Sequence, residues 1–228
     1  MIDNITIPDK PIKYSKDLTT WTDISFVYGW ESTIVLNKGE KLYLKGNNST
    51  YGRRVSTSRY IYESHAQILA EKNIDVMGNI MSLVYGDNFI NNNTIESSFT
   101  FLKLFKSNIK LVNAKDLILP ATTLAEYCYS GMFLGCKALT TAPALPATTL
   151  ANSCYSHMFY RCEALTTAPA LPATTLATYC YYGMFENCFA LTAAPELPAT
   201  TLTDYCYDGM FHGCYNLNYI KAMFTTTP

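Results

Sequence analysis

Along the second half of the chain the apolar positions recur with one fixed spacing. Leu-Pro-Ala-Thr-Thr-Leu begins at Leu119, Leu145, Leu171 and Leu197, each start 26 residues after the last. The positions of Leu124, Cys128, Met132, Phe133, Cys136, Leu139 and Leu145 hold the same residue in every full unit. Units of this kind stack, and a side chain pointing inward meets its own copies about 4.8 Å away, which fixes its size. The expected core ladder is therefore Cys128, Cys136, Cys154, Cys162, Cys180, Cys188, Cys206 and Cys214 with Phe133, Phe159, Phe185 and Phe211. Other positions drift from unit to unit. Glu126 becomes Asn152, Thr178 and Asp204; Ser130 becomes Ser156, Tyr182 and Asp208; Leu134 becomes Tyr160, Glu186 and His212; Lys137 becomes Glu163, Phe189 and Tyr215. Drift of this kind marks a solvent-facing surface open to contact with a partner.

The spacing also predicts the elements within each unit. Two prolines, such as Pro143 and Pro146, exclude a continuous helix and force an extended path. Leu139, Ala142 and Leu145 fit a short strand with its turn, while Cys128, Tyr129, Met132, Phe133 and Cys136 lie at helical spacing. Each unit reads as a short strand, a proline corner and a short helical turn. A period in the twenties is shorter than helical-hairpin repeats or propeller blades and falls in the leucine-rich repeat range. Upstream, Leu104, Phe105, Asn108, Leu111 and Ala114 repeat the phase of Met132, Phe133, Cys136, Leu139 and Ala142, forming a degenerate entry coil with two extra residues. Downstream, residues 217–224 keep the leucine and lose both prolines, an altered last coil.

The first part of the chain lacks the repeat. Residues 12–15, 33–36 and 41–44 are short β-type runs, and Asn37-Lys38-Gly39-Glu40 predicts a turn closing a hairpin over 33–45. A polar loop is expected over 46–59, followed by strand-like runs at 67–70 and 74–83. The expected fold is a leucine-rich repeat solenoid of short parallel strands and short helical turns in 26-residue coils, preceded by a small all-β domain. The division is 1–77 for the β domain or N-terminal cap, 78–118 for transitional degenerate coils and 119–228 for the repeats. A cap is expected because the end of a stack exposes core.

Composition narrows the function. Of 228 residues, 17 are basic and 18 acidic, a net charge of −1, and the full coils carry three basic and six acidic side chains. That balance lacks the positive excess that draws a protein onto nucleic acid. No apolar stretch approaches the 18 or so residues that span a bilayer, and the chain as written opens on Met1-Ile2-Asp3-Asn4 with no apolar signal core.

The cysteines carry the first candidate chemistry. All eight lie between Cys128 and Cys214, two per coil and eight positions apart, too wide and too regular for a zinc site. Buried thiol ladders are the favoured reading, because free cysteine packs as a small hydrophobe. Disulfides between same-phase cysteines of neighbouring coils are the alternative, since strand spacing lies within disulfide reach. His65, His157 and His212 belong to no nucleophile or metal motif, and His157 and His212 fall at variable positions. Neither a glycine-rich phosphate loop, nor a calcium loop, nor a carboxylate pair is present in the sequence. No enzymatic activity, metal or cofactor is expected.

The run LPATTLAxxCYxxMFxxC, with Phe133-Cys136-Leu139, Phe159-Cys162-Leu165, Phe185-Cys188-Leu191 and Phe211-Cys214-Leu217, resembles the BspA-type leucine-rich repeat of bacterial cell-surface proteins. The resemblance covers about residues 100–222, and more weakly 78–87. It implies an extracellular or surface-exposed, adhesin-like protein that presents its repeat face to a protein or glycan ligand, such as host extracellular matrix. Tyr160, Tyr182, Phe189 and Tyr215 are the candidate binding residues, aromatics being common at hot spots. The alternative is a structural spacer or receptor-binding module of a larger assembly such as a phage fibre or surface layer. An enzyme would need a cleft between the β domain and the first coil that gathers His65, Asp87 and Glu96.

Overall fold

The computed structural model describes residues 10–24, 32–56 and 61–224. Its elements are short: β1 (Ile12–Ser15), β2 (Thr22–Ile24), β3 (Tyr43–Lys45), β4 (Gly52–Ser56), β5 (Ile61–His65), β6 (Ile74–Asp75), β7 (Gly78–Asn79), the helical turn α1 (Ser82–Tyr85), β8 (Leu111–Asn113) and β9 (Leu117–Ile118). β1 lies between β2 and β3, antiparallel to both, with Ile12 opposite Ile24 and Tyr14 opposite Leu44.

Three local expectations are corrected here. Residues 33–36 form no strand, so the hairpin over 33–45 is absent and 43–45 pair with β1 instead. The turn between them does form: Glu40 N donates to Asn37 O at 3.1 Å, and the Glu40 carboxylate accepts from Asn37 N and Nδ2, each at 2.9 Å. Part of the expected polar loop is β4, which pairs antiparallel with β5; residues 57–59 of that loop lie outside the described residues. Only 74–75 and 78–79 of the run 74–83 are strand. Asn79 Oδ1 accepts from Met81 N at 2.9 Å, and the chain then turns into α1.

β6 and β7 pair parallel with β8 and β9, so stacking begins at Ile74, inside the stretch expected as the β domain. From there the same pairing repeats coil by coil. Thr123 bridges Thr149, Thr141 bridges Thr167 and Thr167 bridges Ala193, all parallel. Residues one period apart are therefore neighbours in space.

The segment expected as a helical turn is not a helix. Cys128, Ser130, Met132, Leu134 and Cys136 donate their N–H groups three residues back, to Ala125, Tyr127, Tyr129, Gly131 and Phe133. The intervening residues Tyr127, Tyr129, Gly131, Phe133 and Gly135 donate to Asn152, Cys154, Ser156, Met158 and Tyr160 of the next coil. Every fourth residue sits at positive φ: Tyr127 at 53°, Gly131 at 59° and Gly135 at 73°. The result is a ribbon of linked β-turns with a four-residue period, half of whose donors cross between coils. A left-handed residue at each fourth position forbids a continuous right-handed helix.

That ribbon decides which residues carry strain. The phase of Gly135 and Gly213 holds Arg161 at φ 58° and Asn187 at φ 59°. A side chain with Cβ costs about 1–2 kcal/mol in this conformation, and Arg161 is exposed. Arg161→Gly should therefore raise stability by about 1 kcal/mol in urea denaturation. A loss would mean that Arg161 makes contacts worth more than its backbone strain.

Inside the stack, side chains form columns. Phe105, Phe133, Phe159, Phe185 and Phe211 stack face to face at 5.4–5.9 Å. A second column, not among the core positions expected from the sequence, runs Tyr51, Phe101, Tyr129, Tyr155, Tyr181, Tyr207 and Phe224. Its first member belongs to the N-terminal region and closes the stack there. Tyr51 N donates to Thr100 O at 2.7 Å, and Ile68 N donates to Leu104 O at 2.8 Å, occupying carbonyls at that end. Gly52 permits this approach, since a Cβ there would lie 2.6 Å from Leu102 Cβ. All eight cysteines are buried, but Phe211, in the last coil, is only half-buried.

The thiols are free and their environments differ by column. Cys136, Cys162, Cys188 and Cys214 each donate S–H to the carbonyl of the preceding coil's phenylalanine, at 3.0–3.2 Å. Cys128, Cys154 and Cys180 lie beside the tyrosine column, and burial is the main cause that pushes their pKa up, making them weaker acids. Thiolate is the reactive form, so these groups should resist alkylation in the native protein. After denaturation without reductant, all eight should label, as read by mass; fewer than eight would reveal disulfides.

Candidate functional site

The ribbon turns two residues of every four inward and two outward. Positions 128–129, 132–133 and 136 point inward and are buried, 126–127 and 134–135 make the outer face, and the small residues Ser130 and Gly131 lie buried beneath it. Each outward side chain lies beside its in-phase copies, so the face is a grid whose rows are coils. Some polar side chains of neighbouring coils meet across the rows. Lys137 meets Glu163 at 2.9 Å, Glu186 meets His212 at 3.2 Å, and Lys221 meets Glu196 at 3.0 Å. Exposed pairs of this kind contribute about 0–1 kcal/mol each.

Aromatic and small residues dominate what remains. Tyr179 stacks on Tyr205 at 4.7 Å and 4°, and Phe189 stacks on Tyr215 at 5.9 Å and 9°. Tyr215 is 83% exposed, Tyr205 56%, and Tyr179 and Phe189 36% each. Large exposed aromatics already ordered by stacking lose little freedom on binding.

Nearer the N-terminal end the grid opens into a groove of about 450 Å³. Its floor is Ser130, Gly131 and Ser156, all buried, and Tyr127, Leu134 and Tyr160 line it beside Lys103, His157 and Glu186. The His157 ring is held edge-on to Tyr160 at 5.6 Å and to Tyr182 at 4.9 Å, and its Nδ1 lies 3.0 Å from Ser156 Oγ. The surrounding backbone donors are committed: Ser156 N to Ser153 O, His157 N to Tyr182 O and Gly131 N to Ser156 O. None is left to stabilise an oxyanion.

The four aromatics expected from the sequence thus fall into two places. Tyr160 and Tyr182 are half-buried and meet at His157, whereas Phe189 and Tyr215 form an exposed pair. Tyr127, Tyr179 and Tyr205 are additional members of the face and share one phase, whose fourth member, Ser153, is buried. Ser130 and Ser156 drift in sequence yet are buried, being small enough to sit under their neighbours. The trio His65, Asp87 and Glu96 is not gathered into a cleft. Asp87 pairs with Lys45 at 2.9 Å, while Glu96 lines a separate hollow of about 180 Å³ that neither His65 nor Asp87 lines.

Among the described residues no cluster of three or more His, Cys, Asp or Glu side chains could hold a metal, and no helix is long and apolar enough to cross a membrane. No family model matches the chain, and no curated protein or solved structure matches it either.

Proposed function

We propose that this is a non-enzymatic binding protein of the BspA-like leucine-rich repeat class, displayed extracellularly or at the cell surface, whose turn-ribbon face contacts a protein or glycan. The observation that carries this reading is the pairing of a column-packed interior with an outer grid whose residues change at each coil. Hydrogen bonds between coils hold the backbone, so the face varies in chemistry without varying in shape. A pre-ordered surface avoids much of the ordering cost of association.

Screening the full chain against matrix proteins and glycans tests the proposal. For a protein ligand, Phe189→Ala with Tyr215→Ala should weaken capture by tenfold or more, about 1.4 kcal/mol, with the melting temperature nearly unchanged because Tyr215 is exposed. Unchanged capture would remove this pair from the contact surface. The second reading, a spacer or receptor-binding module of an assembly, is favoured by the near-identity of the coils, four of which share LPATTL. It requires concentration-dependent self-association without any ligand, which sedimentation velocity measures.

A further inference from the structure

We propose that the groove between the first two full coils is a saccharide subsite that takes a short neutral oligosaccharide; this deepens, and rests on, the surface-binding reading above. The hollow exists because of one irregularity in the grid. The phase of Gly131, Gly183 and Gly209 carries His157 in the second coil alone. Gly131 carries no side chain, so the Lys103 stem lies close over the floor, 3.0 Å from where a Cβ would stand, and His157 raises an imidazole wall beside it.

The chemistry of the lining matches a pyranose. A sugar ring offers C–H faces that pack on aromatic rings and hydroxyls that need both donors and acceptors. Tyr127 and Tyr160 supply aromatic surface, Lys103 supplies a donor, Glu186 an acceptor, and His157 either role. The volume of about 450 Å³ lies in the range of roughly 300–1,000 Å³ typical of small-molecule sites. Charge argues against an acidic sugar, because Glu186 lines the same groove as Lys103. The walls are also fixed in advance: His157 is braced by Tyr160, Tyr182 and Ser156, so binding orders few side chains.

The repeat itself supplies variants that keep the fold. His157→Gly installs the residue that sister coils carry at this phase, at a φ of 53° that glycine adopts freely. Tyr160→Leu copies Leu134. Saturation-transfer NMR on the full chain with N-acetyllactosamine, cellobiose, chitobiose and mannobiose, at millimolar concentration, should detect at least one of these neutral disaccharides. Both variants should weaken that binding by roughly tenfold or more while keeping the circular dichroism of the parent and a melting temperature no more than slightly below it, with relief of positive-φ strain in His157→Gly acting to raise it. Sialyllactose and a heparin disaccharide serve as anionic probes. Absence of binding by every neutral probe, binding by the anionic probes alone, or unchanged binding in His157→Gly would each overturn the proposal. Failure here is separable from failure of the broader reading: a chain that captures a matrix protein through Phe189 and Tyr215 but no disaccharide keeps its surface function and loses the saccharide subsite.

Discussion

Raising the pH above 9 is expected to unfold the repeat cooperatively. Burial pushes the Cys136 and Cys180 thiols up to about 12 from an ordinary 9.0, and raises Cys128, Cys154, Cys162 and Cys188 as well. Between pH 9 and about 12 the unfolded chain gives up these protons while the folded chain keeps them. The native state then binds more protons than the unfolded state, so stability falls as pH rises. It is fully present below 9. Each such group contributes about 1.4 kcal/mol of loss per pH unit, and Cys136 and Cys180 alone amount to about 3 kcal/mol per unit. The S–H donation from Cys136, Cys162, Cys188 and Cys214 to phenylalanine carbonyls adds to this, because a thiolate has no proton to give. Circular dichroism followed together with thiolate absorbance checks it: most of the thiolate absorbance should appear only as the fold is lost. Thiols that titrate near 9 in a chain whose dichroism is intact would show that the columns are open to water.

The second large effect is positional. Phe159 is fully buried and stacked on both faces, by Phe133 at 5.4 Å and Phe185 at 5.5 Å. Phe159→Ala should cost about 3–5 kcal/mol, the range for a buried phenylalanine whose cavity cannot collapse. Phe211→Ala removes the same side chain where it is half-buried and stacked on one described ring at 5.9 Å, and should cost less than half as much. The neighbouring column behaves in the opposite way. Tyr155 is 1% exposed, and its hydroxyl has no hydrogen-bond partner among the described residues. Burying such a group costs about 1–3 kcal/mol, so Tyr155→Phe should stabilise the protein by about 1 kcal/mol. The entry coil already holds Phe101 in this column, which shows that the stack accepts the ring without the hydroxyl. Guanidinium denaturation of the three variants checks these signs. Equal costs at 159 and 211 would contradict nearest-neighbour stacking, and a loss in Tyr155→Phe would reveal a partner for the hydroxyl.

Much of the interior is legible without coordinates, because the chain carries its own comparison. Cys154, Met158, Phe159 and Leu165 repeat unchanged from coil to coil, as expected of apolar residues that stack on their own copies. Tyr155 is just as constant, but its hydroxyl suggests a surface residue, and only the stacked rings on either side place it inside. The turn ribbon is harder still. Apolar residues at 128, 129, 132, 133 and 136 fall on one side of a helix of 3.6 residues per turn as readily as on one side of a ribbon of four. The glycines at 131 and 135, four apart, are the signal that separates the two, since a left-handed residue belongs to the turns and not to the helix. His157 and Arg161 occupy those phases in the second coil and obscure it.

The outward chemistry divides in the same way. That Glu126, Leu134 and Lys137 occupy variable phases follows from the sequence, as do the 26-residue period and the identity of the residues that pack in columns. Which outward residues meet is a matter of tertiary structure alone. Lys103 lies in the entry coil, two residues out of period, and Glu186 lies two coils beyond Tyr127, yet all three line one groove. The physical reason is the hydrogen bonding between coils. It sets in-phase residues side by side across a separation of 26 in the chain, so the neighbours of each side chain are decided by the stack and not by the residues before and after it.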